Sequence, residues 1–322
     1  MQKLYDRGVE LGSGSTGDVR LVEFAAPTDD GTVVQKAVKY FFESDDLEEE
    51  LDAIRLLQKH VSPAARRFFA IDHVQRVEEL FLVLDYQGKT LIDWVEAKNG
   101  LVWPGDADKL RFGLSDSRNL CLQVFEAAAH LHKQHIIHGD IRPENVCSLD
   151  GKAWVLIDFG LTERLDPGKP PSIHTFLGPS CVRAPENKEG YESVITTATE
   201  VFMAALTVWT ALNGLDFSLE SLYKLERRGR LPNGELLDAT ASSTIPSMQS
   251  GEDTEGFESR VAVCARKHYE TMHKPFFQPY LAGSLLYPPG EPLVKALLPC
   301  MEESPAARPT AAAALGFLND NQ

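Results

Sequence analysis

Asp140, Asn145 and Asp158 are the residues of this chain whose types and spacing could do chemistry. They stand in His138-Gly139-Asp140-Ile141-Arg142-Pro143-Glu144-Asn145 and in Asp158-Phe159-Gly160, eighteen residues after Asp140. Asp140 is placed to accept a hydroxyl proton, and Asn145 and Asp158 offer the hard oxygens that magnesium takes. Arg142, two residues past the acid, can offset charge on a transferring phosphoryl group. The chemistry implied is phosphoryl transfer. A lone Asp-Phe-Gly is an ordinary turn, but the two motifs at this separation make accident improbable.

Further upstream, Gly12-Ser13-Gly14-Ser15-Thr16-Gly17-Asp18-Val19 has the G-x-G-x-x-G spacing. Alone it fits a plain turn or a dinucleotide fold equally well. Strand-like sequence on both sides, with no helix opening from it, points to a glycine hairpin whose backbone N–H groups can close over phosphates. Lys36-Ala37-Val38-Lys39 ends a strand-like run in which Ala37 and Lys39 share a face. Lys39 needs a carboxylate to hold it, and Glu50 is the best candidate; Glu48 or Glu49 would serve if the helix were rotated. His132, His135 and His138 cluster enough to suggest metal, but they read better as a packed loop histidine and two residues at a helix end, where the dipole favours imidazole.

The elements that must position these groups follow from periodicity. Short alternating strands are expected at Gly8–Leu11, Val19–Val22, Val33–Tyr40 and Leu80–Leu84, with turn chemistry at Ala26–Gly31. A helix is expected from about Asp45 to Lys59, since Leu47, Glu50, Ile54 and Leu57 recur at steps of three and four. Apolar runs at Ile136-Ile137 and Trp154–Ile157 lead into the two acid-bearing loops. From Leu91 on the pattern is mainly helical, clearest in Leu120–Lys133 and Thr199–Leu212. This argues an α+β chain of two lobes joined near Asp85-Tyr86-Gln87-Gly88. Leu231–Glu258, rich in Ser, Thr, Gly and acid, reads as a mobile insertion.

The chain has 322 residues and a formal net charge of −15. That acidity, without any Lys/Arg-rich run, argues against nucleic acid and anionic membranes as partners. Basic protein substrates or metal-neutralised anions suit it better. The five cysteines are odd in number and scattered, as in a reducing compartment. No apolar leader and no apolar window long enough to span a bilayer is present, so a cytoplasmic or nuclear protein is expected. Nothing in the sequence sets an oligomeric state.

On these motifs the chain resembles the eukaryotic-type protein kinases, with a His-Gly-Asp catalytic loop similar also to aminoglycoside phosphotransferases and lipopolysaccharide kinases. The resemblance runs nearly the whole length. It implies one bilobal kinase domain over residues 1–322: an antiparallel-sheet N-lobe with one helix to about 84, a hinge at about 85–88, and a mainly helical C-lobe beyond. It implies ATP as co-substrate with Mg²⁺, or Mn²⁺ in its place, and a protein hydroxyl as acceptor. Gly12, Ser13, Gly14, Ser15, Thr16 and Gly17 would cover the phosphates. Val19 and Ala37 would roof the adenine, Cys147 would floor it, Leu84 would be the gatekeeper, and Asp85 to Gln87 the hinge. Lys39 and Glu50 would form the catalytic pair. Ala184-Pro185-Glu186 resembles the end of an activation segment, and its Glu is expected to pair with Arg308.

Three departures from the family pattern carry expectations. Gly139 replaces the Arg that grips a phosphorylated activation loop, so activity without loop phosphorylation is expected. Glu200 stands where an Asp anchors the catalytic loop. Pro179 matches tyrosine kinases, whereas Arg142 matches serine/threonine kinases, which is the reading adopted. A small-molecule kinase and a nucleotide-binding pseudokinase scaffold are the alternatives.

Overall fold

The computed structural model describes residues 2–25, 32–78, 80–99, 113–166, 168, 173–175, 184–187, 192–213, 291–302 and 304–320. The expected turn at Ala26–Gly31, most of the expected activation segment, Pro179 and the segment Leu231–Glu258 lie outside them.

After a four-residue helix α1 (Gln2–Tyr5), the N-terminal part is an antiparallel sheet built from β1 (Val9–Ser13), β2 (Gly17–Ala25), β3 (Val33–Phe41), β4 (Gln75–Val77) and β5 (Phe81–Asp85). Their order is β1-β2-β3-β5-β4. The register sets the faces: Val19 lies opposite Lys39, Leu21 opposite Ala37, and Ala37 and Lys39 in turn opposite Leu84 and Leu82. Alternation therefore sends Val38, Val22, Phe81 and Val83 to the other face, where they form a small core with Tyr5. The short α1 and β4 went unread in the sequence because elements of three or four residues carry no measurable period.

Helix α2 (Ser44–His60) matches its expected span to within a residue at each end. Asp45 and Asp46 in its first turn and Lys59 and His60 in its last complement the backbone dipole. Its apolar stripe packs Leu47 and Leu51 against Phe41 and Leu82, and carries Glu50 down with it.

The C-terminal part begins after Gly88, whose φ of +88° and 2.2 Å approach of a hypothetical Cβ to the Ser148 carbonyl oxygen leave no room for a side chain. It runs through β6 (Lys89–Thr90), α3 (Leu91–Asn99), α4 (Leu114–Lys133), β7 (Ile136–Ile137), β8 (Val146–Ser148), β9 (Val155–Leu156), β10 (Glu163–Arg164), β11 (Ile173–Thr175), β12 (Glu192–Val194), α5 (Thr197–Asn213), α6 (Pro292–Cys300) and α7 (Ala311–Asp320). Helix α5 is apolar on every side, from Val201 and Phe202 to Trp209 and Leu212, and so it is the buried pillar of one large core shared with α2, α4, α6 and α7. Among the described residues no helix is long and apolar enough to cross a membrane.

Candidate active site

Lys39 is the centre of the site. Its ammonium lies 2.5 Å from Glu50 Oε2 on α2 and 3.1 Å from Asp158 Oδ1 in the loop after β9. Lys39 and Glu50 are both buried, at 6% and 3% exposure. Burial works to strip the lysine of its proton, but the charges of Glu50 and Asp158 outweigh it and hold the ammonium above its usual range. Glu48 instead pairs with Arg76, which decides the sequence ambiguity over the helix rotation in favour of Glu50.

Asp158 sits at φ +61°, a left-handed conformation rare outside glycine. Phe159 is fully buried beneath it, its ring 5.3 Å from that of His138. Burial works to raise the Asp158 carboxyl, and Lys39 reverses that, holding it below the ordinary carboxylate range. Anionic and partly open at 43% side-chain exposure, it is a suitable oxygen donor for a divalent cation.

Asp140 and Asn145 are joined across a tight 3₁₀ turn, Pro143–Asn145. Asn145 Nδ2 donates to Asp140 Oδ2 at 2.7 Å and to the Asp140 carbonyl at 3.0 Å, which leaves the amide oxygen as a donor to metal. Asp140 Oδ1 is buried without a hydrogen-bond partner, an acceptor with free capacity. Burial, with the charges of Asp158 and Glu144, pushes Asp140 up to about 7 against the pull of Arg142 and the Asn145 hydrogen bond. Arg142 is turned toward Glu144, 3.2 Å away. The donor set fits hard divalent cations: Asp158 and Asn145 would hold them, and they would supply charge neutralisation for a polyphosphate.

The glycine hairpin closes as expected. Ser13 lies opposite Asp18, Gly14 N–H donates to the Gly17 carbonyl at 2.9 Å, and no helix follows. Gly17 is sterically required, since a Cβ there would stand 2.1 Å from the Tyr40 carbonyl oxygen. Val19, Ala37 and Leu84 share the Lys39 face by register. Cys147 is buried in β8, with burial holding its thiol at about 12, unreactive at neutral pH. Asp85 behaves differently from its neighbours. Its carboxylate is held at 2.5 Å by Lys36 and 2.7 Å by His73, on the face opposite Lys39, so only its backbone is left for a ligand in the cleft.

Several supporting residues were not legible as such. His132, assigned from sequence to the helix dipole, lies 2.8 Å from Glu200 Oε2, and Glu200 Oε1 accepts the Gly139 N–H at 2.8 Å. Glu200 therefore anchors the catalytic loop despite its extra methylene. Thr199 Oγ1 donates to Glu186 at 2.9 Å, beside the expected Arg308 pair at 2.7 and 2.8 Å. No sequence signal marks Thr199. Among the described residues no cluster of His, Cys, Asp and Glu forms a separate metal site, and Cys121, Cys147 and Cys300 are free and buried.

A five-stranded sheet with a buried lysine–glutamate pair, set over a helical part carrying a paired Asp/Asn loop and a second Asp, is the architecture of a protein kinase. A family model for the protein kinase domain matches residues 5–316. The chain belongs to that family. It is similar to the maternal embryonic leucine zipper kinase of Xenopus tropicalis, at 26% identity over 237 residues, 71% of this chain and 33% of the relative. Similarity extends to the human serine/threonine-protein kinase STK11, 23% over 236 residues, covering 69% of this chain and 50% of that protein. Over a shorter stretch of 110 residues, 34% of this chain and 21% of the relative, it is 34% identical to the serine/threonine-protein kinase cds1 of Schizosaccharomyces pombe. The chain thus spans about a third of the Xenopus relative and half of the human one.

Proposed function

We propose that this chain is an ATP- and Mg²⁺-dependent protein kinase that transfers the γ-phosphoryl group to a serine or threonine hydroxyl. The observation that carries the reading is Lys39 bridging Glu50 and Asp158, the arrangement needed to hold a triphosphate and its metal at once. In this reading Asp140 is the base, Asn145 and Asp158 hold Mg²⁺, and Arg142 turns from Glu144 toward the transferring group. Lys39 binds the α- and β-phosphates, and the Gly12–Gly17 backbone closes over them. Serine/threonine specificity is supported by Arg142 and by the similarity to the human and fission-yeast serine/threonine-protein kinases.

We further propose that loop phosphorylation is not required, because Gly139 offers no side chain to a phosphate. Loss of turnover on phosphatase treatment, matched by loss in the Ser172→Ala, Thr175→Ala, Ser180→Ala triple variant, would contradict this.

The roles are tested with radiolabelled ATP, generic protein acceptors and a metabolite pool. Asp158→Asn is expected to lose metal-dependent ATP binding, whereas Asp140→Asn keeps binding and loses turnover. Equal loss of binding in both would sink the assignment. Label entering only small molecules would favour a small-molecule kinase, and binding without any transfer a nucleotide-binding scaffold.

A further inference from the structure

Tyr5 lies outside every part of the site described so far, yet it reaches the glycine hairpin. Its ring is buried, at 4% exposure, on the face of the sheet away from Lys39. Phe81 meets it edge-on at 5.4 Å, Tyr40 lies 6.0 Å off, and the Arg20 guanidinium sits 5.0 Å over its centroid. Arg20 also donates to the carbonyls of Tyr5 and Asp6, at 3.5 and 3.1 Å, and the Gly8 N–H donates to the Tyr5 carbonyl at 2.9 Å. The Tyr5 hydroxyl then donates to the Asp18 carbonyl at 3.1 Å.

Asp18 is the first β2 residue past Gly17 and the partner of Ser13 in the last pair of the hairpin. The two halves of that hairpin are held very differently. All five residues of β1 are exposed, so the outer strand depends on pairing with β2, and that pairing is interrupted by an irregularity between Glu10 and Gly12. The β2 half is paired with β3 along its whole length, Asp18 opposite Tyr40, and carries two further ties, the Phe42 N–H to the Thr16 carbonyl at 3.0 Å and Tyr5 to Asp18. The first tie is backbone to backbone, open to any sequence; the second is specific to a tyrosine. The ring alone would fill the apolar site, and phenylalanine would do that equally well, so the hydroxyl does something that packing does not ask for.

We propose that Tyr5 is a positioning residue for the glycine-rich loop, acting through the Asp18 carbonyl to add to the β3 ladder a side-chain restraint on the start of the loop's second strand, where the phosphates of ATP would lie. This rests on the reading of the site as an ATP site. Fixing one half of the hairpin leaves flexure to the β1 half, which can close on a nucleotide without the whole loop having to order.

Tyr5→Phe in the full chain isolates the hydroxyl. Amide hydrogen exchange over residues 12–19 is expected to quicken while the helical part is unchanged, and melting is expected to move by no more than a few degrees. The KM for Mg-ATP is expected to rise by about fivefold, in line with one neutral hydrogen bond, with kcat within about twofold. Tyr5→Ala, which also removes the ring, should show the same exchange pattern with a clear loss of stability. Unchanged exchange over 12–19 in Tyr5→Phe overturns the proposal whether or not the protein is active. Faster exchange in a chain that binds no Mg-ATP at all overturns the reading of the site instead.

Discussion

Glu200, at 0% exposure, accepts the backbone N–H of Gly139 at 2.8 Å, and so the residue beside Asp140 is tied to the first turn of the buried helix α5. The same carboxylate meets His132 on α4, which locks three elements around one group. Glu200→Ala would leave the Gly139 N–H unpaired in the interior, and a loss of about 1–3 kcal/mol of stability is expected in urea unfolding. Glu200→Asp, one methylene shorter, cannot span both partners. It should fold but lower kcat by up to about a hundredfold through misplacement of Asp140. Wild-type kcat in Glu200→Asp would show that the loop is held by other means.

As the proposed base, Asp140 would give the activity a pH dependence. The free enzyme's kcat/KM should rise through about 7 as the carboxyl ionises. Glu144 helps to hold that value up and also occupies Arg142, so Glu144→Gln should move the acid limb to lower pH. An unmoved limb would remove Asp140 from the profile.

The same group makes the fold less stable as pH rises. Its folded value of about 7 exceeds its ordinary 3.8, so folding takes up a proton between the two, and stability is lost as pH climbs through about 7. Asp140→Asn should therefore melt higher than the native chain at pH 8, by a few degrees, with little difference near pH 4. A variant that melts lower at pH 8 would contradict the raised value.

Lys39 and Glu50 stand or fall together. Lys39→Met strands a carboxylate at 3% exposure, and a loss of about 3–5 kcal/mol is expected. The double variant Lys39→Met, Glu50→Leu should recover most of that stability while remaining unable to bind Mg-ATP. Thermal melts with nucleotide titration separate the two effects.

Gly139 has a steric role of its own. Its φ is +87°, and a Cβ there would stand 2.2 Å from the Leu161 carbonyl oxygen. Gly139→Ala is expected to lose at least about 1 kcal/mol, and arginine would meet the same collision. Stability equal to the native chain in a chemical melt would show that Leu161 moves aside freely.

The sequence alone determined the parts of this protein that are local or periodic. The span of α2 followed from the spacing of Leu47, Ile54 and Leu57, and the Asp140–Asn145 turn and the Asp158 loop from motifs whose residues are close in the chain. The glycine hairpin was legible because strand patterns flank it. Lys39 and Glu50 were legible from strand alternation and the helix face, with the helix rotation left open, whereas Glu186 with Arg308 was named from family resemblance, because a pair so far apart in the chain leaves no periodic trace. Tertiary structure decided everything that depends on which surfaces meet. Packing of α2 on Phe41 and Leu82 chose Glu50 over Glu48 and Glu49. Cross-strand register turned the Asp85 carboxylate away from the cleft to Lys36 and His73. Burial of α5 took Glu200 inward with it and gave His132 a partner 68 residues away. For Glu50 and Glu200 the deciding quantity is desolvation, since a charge taken out of water must find its opposite or a donor at hydrogen-bond distance; for the partly exposed Asp85 it is the strand register.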